Sequence, residues 1–328
     1  CTAGTKVEDH AHPATATTSA VSERADVGSL HCAGAMKAAA VGEINEHVAT
    51  STQPPATPCP GARCVTVATL NIRGIDAGVA ELQSYLEEHP TDVLVLTETK
   101  LTNKRRNRIS KQLADLGYRQ YHSIASFTEH GMAGMSILVA RRLADMGMVI
   151  PVELPEHTKG YMRALQIRVE TSVPLEVIGV YMPSSHPGDK HIRTQLYSVI
   201  EKRVEASRTQ EEGYNLLVAG DFNAVLTQTD RVSGRLREID KKHAESIANM
   251  GLHTMPEAHK EGQRAYTFRG TGGMADGSSR IDDVFTTSTK VAAKSRTRVH
   301  DLTGCMTDHN AVEASIPYVA LDMVPPPE

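Results

Sequence analysis

The chain has 328 residues, a formal net charge of -4 and five cysteines. That length holds one large domain or two ordinary ones with a sizeable core, and the charge excludes a protein that grips polyanions through a global basic field. Cys1, Cys32, Cys59, Cys64 and Cys305 are odd in number and irregular in spacing. They fit neither a disulfide framework nor a zinc site, and read as thiols of a reducing compartment.

In chain order, residues 1–62 are rich in Ala, Thr, Ser and Pro, and no Phe, Tyr or Trp precedes Tyr85. Such a stretch buries too little to offset its ordering entropy, so 1–62 reads as a disordered or linker segment, with a weak helical pattern over 33–48. From residue 63 the pattern changes. Apolar β-branched runs predict strands over 65–72, 92–96, 136–140, 164–169, 175–181, 216–220 and 281–286. Helical spacing predicts helices over 78–88, 104–116, 190–206 and 240–250. Many strands with few interspersed helices imply an α/β layered or sandwich domain over 63–320 rather than a simple βαβ series. Residues 321–328 end in Val324-Pro325-Pro326-Pro327-Glu328 and read as a linker. No apolar run reaches membrane-spanning length, and the first residues lack the charged start and apolar core of a signal peptide.

Polar residues collect where these runs end. Asn71 ends the first, in Thr69-Leu70-Asn71-Ile72-Arg73; Glu98 follows the second, in Thr97-Glu98-Thr99-Lys100. Tyr181 ends another, Asp221 and Asn223 follow in Gly220-Asp221-Phe222-Asn223, Asp282 lies in Arg280-Ile281-Asp282-Asp283, and Asp308-His309 stand near the end. Each alone is an ordinary turn or cap residue. Converged, they form a carboxylate-rich set that needs a cation, and oxygen donors favour a hard ion, Mg2+ or Mn2+, over zinc.

The motifs from about residue 65 to 316, in this order, resemble the endonuclease/exonuclease/phosphatase superfamily with its DNase-I-like fold. Within it they are most similar to apurinic-type endonucleases and to the endonuclease domain of non-LTR (LINE-type) retrotransposons. Gly-Asp-Phe-Asn, Asp-His and Glu-Thr-Lys carry the resemblance as a set. It implies a four-layered α/β sandwich with two packed mixed β-sheets flanked by helices. It also implies roles: Glu98 as main metal ligand, helped by Asp308 and positioned by Asn71; Asp221 to orient or deprotonate water; and Asn223 and Tyr181 to hydrogen-bond the scissile phosphate. His309 would contact a phosphate oxygen, oriented by Asp282, and Thr267 looks like the family's Thr near the site. Arg73, Lys100 and Arg105 are expected on the substrate.

The superfamily also holds lipid and inositol phosphoesterases, which the site motifs do not separate. Two basic segments favour nucleic acid. Lys100, Lys104, Arg105, Arg106, Arg108 and Lys111 follow Glu98, and Arg231, Arg235 and Arg237 follow Asp221. A solvated helix face is the rival explanation of the first. Arg73, Ser184 and Asp283 stand where repair apurinic endonucleases usually carry Asp, Asn and an aromatic residue, which weakens abasic-site specificity. The expectation is a Mg2+- or Mn2+-dependent endonuclease that nicks double-stranded DNA and leaves a 3′ hydroxyl to prime reverse transcription. A reverse transcriptase domain of the same polyprotein is its expected partner, with no membrane and no small-molecule cofactor, in the nucleus. Abasic-site repair, lipid or inositol phosphoester hydrolysis, and a decayed copy that only binds DNA are the alternatives.

Overall fold

The computed structural model describes residues 63–123, 133–169, 173–184, 189–209, 213–257, 265–270, 277–302 and 307–322. The expected segments 1–62 and 323–328, the weak helix over 33–48, and every cysteine but Cys64 lie outside these residues.

Strands β1 (Cys64–Asn71), β2 (Val93–Thr97), β3 (Tyr118–Ser123) and β4 (Met135–Ala140) join β11 (Arg296–His300) and β12 (Ala311–Pro317) in a six-stranded sheet ordered β11-β12-β1-β2-β4-β3. A second six-stranded sheet contains β5 (Gly147–Val152), β6 (Met162–Val169), β7 (Leu175–Tyr181), β8 (Asn215–Asp221), β9 (His253–Thr254) and β10 (Asp282–Thr286), ordered β5-β6-β7-β8-β10-β9. Each sheet has a parallel pair at its centre, β1 with β2 and β7 with β8, and antiparallel neighbours around it.

The central strands are buried on both faces, so they read as unbroken apolar runs rather than as alternation. In β2, Val93 and Val95 point into the core between the sheets, while Leu94 and Leu96 pack outward with Leu82 of α1 (Ile75–Glu88) and Leu113 of α2 (Asn103–Asp115). In β8, Leu217 and Ala219 face the same central core. Leu216 and Val218 face Leu196 and Ile200 of α4 (Lys190–Thr209) and Ile247 of α5 (Glu238–Asn249). The result is the expected four-layered α/β sandwich. Two short helices, α3 (Arg141–Ala144) and α6 (Thr289–Lys294), complete the described α-helices. Gly179 of β7 stands where a Cβ would lie 2.9 Å from both Met135 Cε and Val95 Cγ1, so the sheets approach closely just behind the strand ends.

No described helix is long and apolar enough to cross a membrane.

Candidate active site

Both sheets deliver their polar residues to one place. Asn71 ends β1 opposite Thr97, Tyr181 ends β7 opposite Asp221, and Asp282 opens β10 opposite Asp221. The Asn71 amide joins the sheets, because its Nδ2 donates to Glu98 Oε1 at 3.0 Å and to Asp221 Oδ2 at 2.9 Å. Two carboxylates 123 positions apart in the chain are thus held on one fully buried amide. The loop that carries the Asp-His pair is tied on by Thr307. Its hydroxyl donates to the Asn71 carbonyl at 2.6 Å and accepts from the His309 backbone N–H at 3.1 Å.

The backbone here is held in shapes the chain does not favour. Arg73, Glu98, Lys100 and Asn223 all take positive φ, between 48° and 50°. A non-glycine residue in that region costs on the order of 1 kcal/mol, and such strain gathers at functional sites. Gly220 explains the first letter of the Gly-Asp-Phe-Asn motif, since a Cβ there would fall 1.8 Å from the Val180 carbonyl oxygen. Asp221 then accepts from the Asn223 backbone N–H at 2.8 Å, and the Asn223 side chain donates to the Met182 carbonyl at 2.8 Å.

A cavity of about 340 Å³ opens at this junction, and Glu98, Tyr181, Asp221, Asn223, Asp308 and His309 line it together with Arg73 and Lys100. Asp282 lies wholly buried behind His309, with Oδ2 2.9 Å from Nδ1 of the imidazole. Its neighbour Asp283 is held by Arg280, Oδ1 to Nη2 3.1 Å, so Asp282 and not Asp283 serves the histidine. Arg73 Nη1 sits 2.9 Å from Asp308 Oδ2, and Lys100 Nζ 3.4 Å from Glu98 Oε2. A larger, shallower groove of about 590 Å³ between α5 and α6 is lined mainly by apolar side chains and carries none of these groups.

Burial and charge tune the set. Burial, with the nearby Asp282 charge, pushes the Asp221 carboxyl up to about 7 against the pull of His309 and Asn71. Burial works against a charged His309, but Asp282 outweighs it, aided by Asp221 and Asp308, and raises the imidazole to about 9. The Tyr181 phenol is raised by burial and by the charges of Glu98 and Asp221, so it stays protonated as a donor.

Two donor sets for a metal meet in this cavity. Asp221, Asp282 and His309 bring ligand atoms within 4.8 Å of one another and could hold an ion. Glu98 and Asp308 offer a second set made of oxygens alone. Each set has one buried oxygen with no hydrogen-bond partner among the described residues, Asp282 Oδ1 in the first and Asp308 Oδ1 in the second, the latter 3.9 Å from His309 Nε2; such acceptors are of the kind a cation satisfies.

Two residues expected on the substrate, Thr267 and Arg105, lie apart from the cavity lining. Thr267 is fully buried, and its hydroxyl accepts from the Ile281 and Asp282 backbone N–H groups at 2.9 and 3.0 Å. It fixes the start of β10 and so the place of Asp282, and does not reach the cavity. Arg105 lies on the exposed face of α2, paired with Asp76, and does not line the cavity. Sequence reasoning passed over Thr307 and Phe268, whose ring packs 5.2 Å from that of His309. A hydroxyl directly before the Asp-His pair was the available signal for Thr307.

Residues 68–309 match the model of the Endonuclease/Exonuclease/phosphatase family. No curated protein matches the chain in sequence. Among solved structures, the 3′-5′ exonuclease NExo from Neisseria meningitidis is similar at 19% identity and a TM-score of 0.61, over 77% of this chain and 100% of that one. An AP endonuclease from Leishmania major is similar at 16% identity and a TM-score of 0.63, over 78% and 88% of the two chains. The endonuclease domain of TRAS1, a telomere-specific non-LTR retrotransposon, is similar at 19% identity and a TM-score of 0.55, over 78% and 99%. Those likenesses are of fold, a layered sandwich shared by nucleases, and the family match spans both halves of the site. The chain therefore belongs to the endonuclease/exonuclease/phosphatase family.

Proposed function

We propose that this protein is a divalent-metal-dependent endonuclease that hydrolyses phosphodiester bonds of double-stranded DNA. The observation that carries the reading is the Asn71 amide holding Glu98 and Asp221 together beside the Asp282–His309 pair. A phosphodiester is an anion, and its hydrolysis needs a base for water, donors for the phosphate oxygens and compensation of negative charge.

Glu98 and Asp308 would hold the ion, with Asn71 fixing the Glu98 carboxylate. We place it there because the buried Asp282 carboxylate holds His309 Nδ1 at 2.9 Å, whereas Glu98 and Asp308 are partly open to the cavity and offer oxygens alone. Hard oxygen donors suit Mg2+ or Mn2+. When bound, such an ion offsets charge on the phosphate and on the departing oxygen. Asp221, with its carboxyl near 7, takes the proton from the attacking water. His309, kept charged by Asp282, donates from Nε2 to a phosphate oxygen. Tyr181 and Asn223 border the cavity from the second sheet and complete the donor set.

The finer role follows from what surrounds the site. Likeness of fold to a retrotransposon endonuclease domain, with Arg73, Ser184 and Asp283 in place of the residues usual in repair enzymes, supports target-DNA nicking that leaves a 3′ hydroxyl for a reverse transcriptase. The test is nicking of supercoiled plasmid with Mg2+ or EDTA by wild type, Glu98→Ala and His309→Ala, beside a duplex with one abasic site. Metal-dependent conversion to open circles, lost in both variants and not outpaced by abasic cleavage, is expected. Cleavage confined to the abasic site would replace this reading with repair. No cleavage of either DNA by folded, metal-supplied protein would overturn it.

A further inference from the structure

The proposed reaction leaves one wall of the cavity unused. Arg231 and Arg237, from the segment between β8 and α5, line the same cavity as Glu98 and His309. Both lean on one acid. Arg231 Nη2 is 3.1 Å from Asp240 Oδ1, and Arg237 Nη2 is 2.9 Å from the same oxygen. The Asp240 carboxylate is fully buried and also accepts from the Arg237 and Val225 backbone N–H groups, at 2.7 and 3.1 Å.

One carboxylate thus faces two guanidiniums. A third, buried Arg193, lies behind them, bonded to the Pro183 and Phe222 carbonyls at 2.7 and 3.0 Å rather than to an acid. Burial and the neighbouring Arg237 both act against the charge of Arg231. Its Nε is buried with no hydrogen-bond partner among the described residues. Holding Asp240 needs one arginine. A second arginine on the same cavity wall leaves positive charge in excess there, fit for an anion from outside.

The two arginines also stand next to the reacting groups. Arg237 Nη2 donates to the Asn223 carbonyl at 2.8 Å, so the basic wall is bonded to the residue that positions Asp221. The cavity therefore has an acidic pole fit for a cation and a basic pole fit for an anion. A ligand that satisfies both carries two phosphates, one reacting and one fixed. Guanidinium donors match the paired oxygens of a backbone phosphate.

We propose that Arg231 and Arg237 form a subsite for a DNA backbone phosphate beside the one being cut, so that the preferred substrate is an internal phosphodiester of a polynucleotide. This rests on the nuclease reading and sharpens it, since a small phosphoester fills only the acidic pole.

The test is cleavage of a duplex with a defined nick position, in which single flanking phosphates are replaced one at a time by neutral methylphosphonates. Wild type should lose about tenfold or more in kcat/KM at one flanking position. Arg231→Met should cut the all-phosphate duplex more slowly by a similar factor and lose its sensitivity to that replacement. Arg231→Lys, which keeps a charge beside Asp240, should retain the sensitivity, and this guards against a variant that merely misfolds. Indifference of wild type to every flanking replacement would overturn the subsite, as would an equal penalty in wild type and Arg231→Met. Failure of wild type to cut the all-phosphate duplex would instead overturn the nuclease reading, and the subsite with it.

Discussion

The two halves of the cavity are built differently. Asp221, Asp282 and His309 are at most 5% exposed and are already bonded within the protein. Glu98 and Asp308 have side chains 17% and 16% exposed, and their partners Lys100 and Arg73 are looser still, at 35% and 47%. A closed half holds protons at set values, because burial and fixed neighbours move its titrations far from their ordinary positions. An open half with a displaceable lysine and arginine can admit a cation without dismantling the core. On the proposed function, proton chemistry belongs to the closed side and ion binding to the open one.

The largest effect should come from the closed half. Asp221→Asn keeps the shape and removes the base, and we expect a loss of about 10³-fold in kcat with Mn2+ binding retained. Loss of Mn2+ binding in that variant would break the division. In the open half, Glu98→Gln should cost about 10²-fold, partly recovered by raising the Mn2+ concentration. Equal loss at every Mn2+ concentration would mean that Glu98 acts elsewhere than on the ion.

A pH profile sharpens the same contrast. Asp221 must be ionised to accept a proton and His309 protonated to donate one. The kcat/KM should therefore rise as pH passes about 7 and fall as it passes about 9. Asp282→Asn removes the main support of the imidazolium, so the falling limb should move to lower pH. An unmoved falling limb would show that another group sets it.

Stability should respond to acid through a different histidine. Burial, with Arg193 nearby, lowers the buried His243 to about 3 from its ordinary 6.5. A group depressed in the folded state contributes fully above the unfolded value. That contribution is lost as pH falls from about 6.5 toward 3, by up to about 1.4 kcal/mol per pH unit. Denaturant melts of wild type and His243→Asn should show a flatter acid slope in the variant. Parallel slopes would refute the assignment.

The smallest effects belong to α2. Its exposed arginines 105 and 108 are both held by Asp76, which leaves Lys104, Arg106 and Lys111 as its looser basic charges. Arg106→Gln with Lys111→Gln should reduce the salt dependence of DNA binding by about one unit of log–log slope per lost phosphate contact, and leave kcat unchanged. An unchanged slope would make this helix face a solvated surface only.

How much of this was legible in the sequence follows burial. The central strands, covered on both faces, read directly as apolar runs, and β7 and β10 lie within a residue of the expected ranges. The strands β3, β5, β9, β11 and β12 were missed, because they lie at or next to a sheet edge and carry Arg, Gln, His, Glu or Pro or, in β9, span only two residues. In β5 it is Met148 and Ile150 that face solvent. The site residues were named through motif resemblance, and their places at strand ends were visible. Their pairings were not, because nothing periodic links Asn71 to Asp221, 150 positions later. The partners of the Thr267 and Thr307 hydroxyls were out of reach for the same reason: each bonds backbone groups that only the folded chain brings near.

The most direct test of the divided site is Mn2+ binding, measured by electron paramagnetic resonance on wild type, Glu98→Gln and His309→Ala at one protein concentration. The account predicts that binding is weakened in Glu98→Gln and kept in His309→Ala, while both variants lose DNA cutting. Binding kept in Glu98→Gln and lost in His309→Ala would contradict it, and would place the ion on Asp221, Asp282 and His309 instead.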